Sequence, residues 1–192
     1  PPRETKIIWP VINYGPFLYR QAIRKYFARV YGPPQPNRPP RKFKIMTPED
    51  QAKSLLPTIL GLEGPRKLIA ISGPPGAGKS TLAEALEAQI SALGRSVAVI
   101  PMDGFHLDNR LLEPRGILAR KGSPQSFDAA GFVHLVSRIA DGQDVIYPVF
   151  DRDRDIAIAG ASHLPADTEF VLFEGNYLLL KDEPWARLAA FW

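Results

Sequence analysis

Cysteine is absent from the 192 residues, which excludes a disulfide framework and a thiolate metal centre and fits a reducing compartment. No apolar run approaches the roughly 18 residues of a membrane span. The stretch IIWPVI is short and broken by Pro10, so it does not read as a secretory signal. A cytoplasmic location is therefore expected. The three histidines show no metal-ligand spacing, and no zinc site is expected. There is no internal repeat. With 45% hydrophobic residues, the chain is long enough for one α/β domain with a substantial core.

Acidic residues are scarce in one region only. Residues 1–45 hold ten Lys/Arg against a single acid, Glu4, whereas residues 46–192 hold 14 Lys/Arg against 19 Asp/Glu. The basic balance of the chain thus belongs to its first quarter. Nine of those 45 residues are proline, and PPQPNRPPRK has the composition of a linker. Between the prolines, Tyr19, Ile23, Tyr26, Phe27 and Val30 recur at helical spacing with arginines opposite. A basic amphipathic helix of this kind could rest on a nucleic acid or a membrane, or pack on its own domain. Two domains are expected: a basic proline-rich arm, 1–45, and a second unit, 46–192. Met46 reads like a translation start. Thr47 is placed as an N-cap, Pro48 as the first helical residue and Asp50 in capping-box position. The stop at Trp192 falls inside an apolar pattern, so both ends read as ragged.

Regular alternation starts at Lys67. LIAIS (68–72) predicts a strand buried on both faces. A glycine-rich turn follows, then a helix with Leu82, Leu86, Ile90 and Leu93 on one face, ended by Gly94. SVAVIPM (96–102) predicts a second buried strand. In 128–142, Asp128 caps a helix that turns Phe132, Leu135, Val136 and Ile139 inward, and Gly142 closes it. DVIYPVF is a shorter strand candidate, and Phe170–Phe173 a further buried strand ending at Glu174. Strands alternating with helices predict a doubly wound parallel sheet.

The turn GPPGAGKST carries Gly73, Gly78, Lys79 and Ser80 in the spacing G-x-x-x-x-G-K-[ST]. Glycines let backbone N–H groups wrap an anion, and the following helix adds its dipole. The lysine brings a charge to the β- and γ-phosphates, and the Ser80 hydroxyl can ligand Mg²⁺. Gly73, Pro74, Pro75, Gly76, Ala77, Gly78, Lys79, Ser80 and Thr81 are therefore the expected nucleotide-binding set. No NKxD guanine signature and no LSGGQ-type transporter motif accompanies it. In such sheets ligands gather at the carboxyl ends of the strands. Asp103 lies just past the second strand and Glu174 ends a third, so both carboxylates are expected at that edge. Asp103 could accept a hydroxyl proton as the oxygen attacks, or hold Mg²⁺ through water. Its plain structural role would be to cap a helix or form a turn. Glu174 is the expected Walker-B carboxylate for the metal shell.

GPPGAGKST, MDGF, RGILARKGSPQSFD, YPVFDR and FEGNYLLL, in this order, resemble the phosphoribulokinase/uridine kinase family of P-loop kinases, nearest to its pantothenate kinase-like branch and to bacterial nucleoside- and nucleotide-kinase-like proteins. The resemblance runs from about Leu55 through Leu180. It implies a P-loop fold, ATP and Mg²⁺, Asp103 as catalytic base beside Lys79 and Glu174, and an acceptor site walled by 105–127. Pantothenate kinases carry a Ser-His pair where this chain reads Phe150-Asp151-Arg152, and the histidine and arginine that follow in uridine kinases do not align onto RDRDIAIAG. The family's basic lid and further strand lie beyond the Walker-B region, and the chain is expected to stop short of them.

The expected function is ATP-dependent phosphorylation of a hydroxyl on a nucleoside, sugar or pantothenate-like alcohol, the alternative being a nucleotide-binding regulatory module. Expected acceptor contacts are Asp103, Phe105, His106, Arg115, Lys121, Tyr147, Asp151 and Arg152, with Ser80 and Glu174 holding the metal. Arg120 joins Arg115 and Lys121 in a basic cluster. The alternating charges 151–155 could instead be a self-neutralising surface loop, Tyr147 and Phe150 packing residues, His134 a solvated helix residue and His163 a loop residue. Small-molecule binding with a homodimer is compatible with all of this.

Overall fold

The computed structural model describes residues 6–8, for their backbone, and 46–192. The amphipathic pattern at 17–31 and the proline-rich linker lie outside the described residues. The main sheet has four parallel strands in the order β1-β2-β6-β3: β1 (Lys6–Ile8), β2 (Lys67–Ser72), β3 (Val97–Pro101) and β6 (Phe170–Gly175). Strand β6 pairs with β2 on one side (Leu68 opposite Val171, Ser72 opposite Gly175) and with β3 on the other (Ile100 opposite Phe173, Pro101 opposite Glu174).

Side chains alternate across a strand, and both faces of this sheet are used. Leu68 and Ala70 of β2, with Val171 and Phe173 of β6, pack toward helix α4 (Ala129–Ala140), whose Phe132, Leu135, Val136 and Ile139 complete that core. Ile69 and Ile71, with Phe170 and Leu172, pack on the opposite side. There they meet α1 (Pro48–Leu60) and α2 (Lys79–Ala92), the latter through Leu82, Leu86 and Ile90. Helices on both faces make the doubly wound α/β layering that the alternation predicts. Helix α1 begins as expected, with Thr47 Oγ1 accepting from Asp50 N at 3.1 Å. Asp128 likewise caps α4 by accepting from Gly131 N. A short helix, α3 (Asn109–Leu112), lies in the segment that follows β3.

Four sequence expectations need correction. Leu93 is not on the buried face of α2: it is the C-cap and is 54% exposed, because the helix stops before the apolar repeat does. Strand β3 is half-buried rather than buried, since β6 is its one partner among the described residues. DVIYPVF does not join the parallel sheet. It is β4 (Val145–Asp151), which pairs antiparallel with β5 (Ile156–Leu164), a strand the periodicity did not predict. His163 consequently sits in a strand, 2.8 Å from Asp144, and not in a loop.

The amino end of the sheet is closed by ionic contacts. Lys67 Nζ lies 2.6 Å from Glu169, which Arg95 also grips. The Arg95 hydrogen bond, aided by Lys67, holds the Glu169 carboxyl down at about 2. Arg66 then ties three elements together: it donates to the carbonyls of Thr168 (3.1 Å), Ile139 (3.0 Å), Gln143 (3.1 Å), Pro165 (2.8 Å) and Ala166. Only a planar guanidinium has enough donors in this arrangement. Arg66→Met should lower unfolding stability by about 2 kcal/mol, the scale of losing several hydrogen bonds to a charged donor. Arg66→Lys should recover less than half of that in denaturant melts, and full recovery by lysine would contradict the fork.

Candidate active site

The carboxyl ends of β2, β6 and β3 lie side by side, and each leads into one part of the site. After β2, the loop 73–78 folds back on itself, with Ala77 N donating to Pro74 O at 3.2 Å. Gly76 and Gly78 both take φ +73°, the left-handed region that favours glycine. The loop runs straight into the 14-residue α2, whose first-turn N–H groups face outward from its N-terminus. No side chain caps that end, and a cradle of free donors at a helix N-terminus suits a phosphate. Gly73 and Ala77 are buried, while Pro74, Pro75, Gly76, Ser80 and Thr81 are exposed at the mouth.

Lys79 is 7% exposed, and its Nζ reaches Pro74 O (3.2 Å) and the Glu174 carboxylate (3.5 Å). Glu174, the penultimate residue of β6, also accepts from Ser80 Oγ at 3.3 Å. Burial pushes the Glu174 carboxyl up; Lys79 and Ser80 pull it down, and the neighbouring charge of Asp103 pushes it up again. The two carboxylates therefore feel one another across the strand ends. A hydroxyl and a carboxylate side by side form a hard oxygen donor set of the type that suits Mg²⁺, which completes its shell with water and phosphate oxygens. The residues present fit such an ion.

Asp103 sits in a turn of 3₁₀ helix, Met102–Phe105, immediately after β3. Its Oδ2 accepts from Arg152 of the β4–β5 turn at 2.8 Å. The hairpin backbone presses on this turn so closely that a Cβ at Gly104 would stand 2.3 Å from Pro148 O. His106 follows. Its Nδ1 is 2.8 Å from the Asp103 carbonyl, which can only accept, so that nitrogen carries the proton. The ring is held between Phe127 (4.0 Å between centroids) and Phe150 (4.6 Å).

Not every expected acceptor residue reaches this edge. Asp103, His106 and Arg152 do. Tyr147 does not: it is 6% exposed within the core on the α4 face, where alternation along β4 turns it inward. Phe105 packs edge-on against Phe132 of the same core, 5.2 Å between centroids. Lys121 is committed to Asp155 (2.7 Å) and Asn109 (2.7 Å), so it fastens the hairpin turn rather than standing free for a phosphate. Hydrogen bonds from Lys121 and from Asn109 Nδ2 (3.1 Å) hold the Asp155 carboxyl below its usual range. Asp151 is taken up by Arg154, through the backbone N–H and then the side chain, which hold its carboxyl down. Arg115 and Arg120 are exposed. Sequence reasoning missed Asn109, Asp155 and Tyr177, whose hydroxyl donates to Gly122 O at 2.5 Å and pins the 121–123 loop to the end of β6. Nothing in their spacing signalled these pairings.

A strand, glycine loop and helix with a buried lysine facing a strand-end carboxylate define a P-loop nucleotide-binding protein. Residues 44–106 match the family model of the methylmalonyl Co-A mutase-associated GTPase MeaB, the part of the chain that carries this loop and Asp103. Among solved structures, a provisionally assigned fructose transport system kinase from Silicibacter sp. TM1040 is 49% identical with a TM-score of 0.68, over 77% of this chain and 71% of that one. Uncharacterised protein YggC of Escherichia coli K12 is 37% identical over 128 residues, 66% of this chain and 53% of that one. Pantothenate kinase of Yersinia enterocolitica is 40% identical over 132 residues, 66% of this chain and 42% of that one. The chain belongs to the phosphoribulokinase/uridine kinase family of P-loop kinases. It spans about half the length of the curated relatives it matches. No helix among the described residues is long and apolar enough to cross a membrane.

Two expectations follow from the geometry. Because burial raises the Glu174 carboxyl above its ordinary 4.5, the folded state favours the protonated acid. That cost is absent below pH 4.5 and grows as pH rises through the raised value. Glu174→Gln should therefore gain melting temperature relative to the parent between pH 4 and 7, and a gap that stays constant or shrinks would contradict the burial. Gly104→Ala must push Pro148 away, at a cost of about 2 kcal/mol for forced overpacking. It should also impair any reaction that uses Asp103, whereas a neutral alanine would mean the hairpin is not in contact.

Proposed function

We propose that the protein phosphorylates a hydroxyl of a small metabolite with ATP and Mg²⁺. The observation that carries this reading is the meeting of Lys79, Glu174 and Asp103 at one sheet edge, beside a helix N-terminus with free donors. The loop amides and Lys79 would bind the β- and γ-phosphates, and Thr81 would lie in the same first turn of α2. Ser80 and Glu174 would hold Mg²⁺, which when bound neutralises charge on the transferring phosphoryl group.

Asp103 would accept the proton of the incoming hydroxyl while that oxygen forms its bond to the γ-phosphorus. The bond from the γ-phosphorus to the bridging oxygen breaks, and ADP leaves. His106 and Arg152 border the same carboxylate and would orient the alcohol. Catalysis would then be chiefly positioning and charge neutralisation.

The acceptor we read as a nucleoside, a sugar or a pantothenate-like alcohol. Relatives bearing kinase names for two of these classes, a pantothenate kinase and the fructose transport system kinase, support that range. Asp103→Asn in the full-length protein should cut ADP formation with its best acceptor by about 10²-fold or more, the worth of a positioned base, and leave ATP affinity within about twofold. Turnover unchanged by this substitution, measured across a panel of uridine, fructose and pantothenate, would overturn the assignment and leave a nucleotide-binding module.

A further inference from the structure

We infer that Arg152 guards Asp103: in the absence of an acceptor it occupies Oδ2 of the carboxylate and withholds that oxygen from water. The inference rests on the phosphoryl-transfer reading above, and it concerns a hazard built into that reading. A base aimed at a γ-phosphate will activate water as readily as an alcohol unless something stands in the way.

Arg152 stands there. Its Nη2 donates to Asp103 Oδ2 at 2.8 Å, and the lone pair of that oxygen engaged by the guanidinium is not available to receive a proton. The contact is built to be broken alone. The Arg152 side chain is 75% exposed, and exposed ion pairs are weak enough for an arriving ligand to displace. Its neighbours, by contrast, are fixed. On one side Asp151 is bonded to Arg154 N (3.0 Å) and to its guanidinium (2.7 Å). On the other, Asp155 takes φ +55° and is clasped by Lys121, through its carbonyl (2.8 Å) and carboxylate (2.7 Å), and by Asn109 (3.1 Å). The hairpin turn is thus moored to the segment that follows Asp103, and Arg152 is its one basic side chain directed onto the base. An alcohol that gives its proton to Asp103 Oδ2 must take the place of the guanidinium; a single water gains no comparable set of contacts with the His106 ring and the turn.

The reaction held back is hydrolysis. Water oxygen would form a bond to the γ-phosphorus as its proton passes to Asp103, the bond to the bridging oxygen would break, and ADP and phosphate would leave. The test measures phosphate release from Mg-ATP by the full-length protein with no acceptor present. Arg152→Met keeps a stem of similar length and removes the donors, and should raise acceptor-free release about tenfold, inside the roughly 10²–10⁴ range of a positioned base. Arg152→Lys retains a cation and a donor but not the guanidinium fork, and should release phosphate more slowly than Arg152→Met. Asp103→Asn combined with Arg152→Met should return release to the parent level, which ties the gain to that carboxylate. General damage to the fold cannot produce a gain of this kind.

Release that is unchanged or lower in Arg152→Met overturns the guard, as does a gain that survives Asp103→Asn. Failure of the underlying kinase reading looks different: no ADP forms with uridine, fructose or pantothenate in any variant. Failure of the guard alone leaves Asp103-dependent ADP formation with an acceptor intact.

Discussion

The site depends on one pairing constraint, the insertion of β6 between β2 and β3 in parallel. The two strands that flank β6 come earlier in the chain, so the connections must cross over the faces of the sheet. Because all three strands run the same way, their carboxyl ends share an edge. Lys79 enters from β2, Asp103 from β3 and Glu174 from β6, a meeting of residues up to 95 positions apart. A register slip of one residue in β6 would turn Glu174 to the opposite face and lose both Lys79 and Ser80. The continuous apolar run of β6, buried at every position, fixes that register against both faces of the core.

Burial then sets the chemistry. Glu174 is held mostly out of water, where a bare carboxylate is costly, and Lys79 and Ser80 only partly offset that cost. Under the proposed function, such a pair would exchange partners when phosphates and a cation arrive. The antiparallel hairpin adds a second layer that the parallel sheet cannot supply. It packs on the turn holding Asp103 so tightly that only glycine fits at 104, and its tip delivers Arg152. Asp103 is thereby positioned from both sides, by its own strand and by a separate ribbon.

Much of this was legible in the sequence, for identifiable reasons. The P-loop spells out its conformation because left-handed φ demands Gly76 and Gly78. Strands β2 and β6 are uninterrupted apolar runs, and α4 carries its cap and its apolar face in plain order. What was not legible arises from contacts between distant segments. IAIAGASHL alternates small residues with little amphipathic contrast, and most of its positions are half-buried or exposed, so periodicity gave β5 no signal. Tyr147 looked like a site residue because it opens YPVFDR, yet alternation along β4 points it into the core. Lys121 looked free because the Asp155 that consumes it lies 34 residues away.

In the proposed reaction, a triphosphate at Lys79 brings its γ-phosphorus within reach of Asp103. A crystal structure of the full-length protein with Mg²⁺ and a non-hydrolysable ATP analogue tests this most directly. The expected result is the β- and γ-phosphates on the amides of the 73–81 segment, Lys79 moved from Glu174 onto phosphate, and the Asp103 carboxylate facing the γ-phosphorus. A γ-phosphate turned away from Asp103, or a nucleotide bound elsewhere on the sheet, would contradict it.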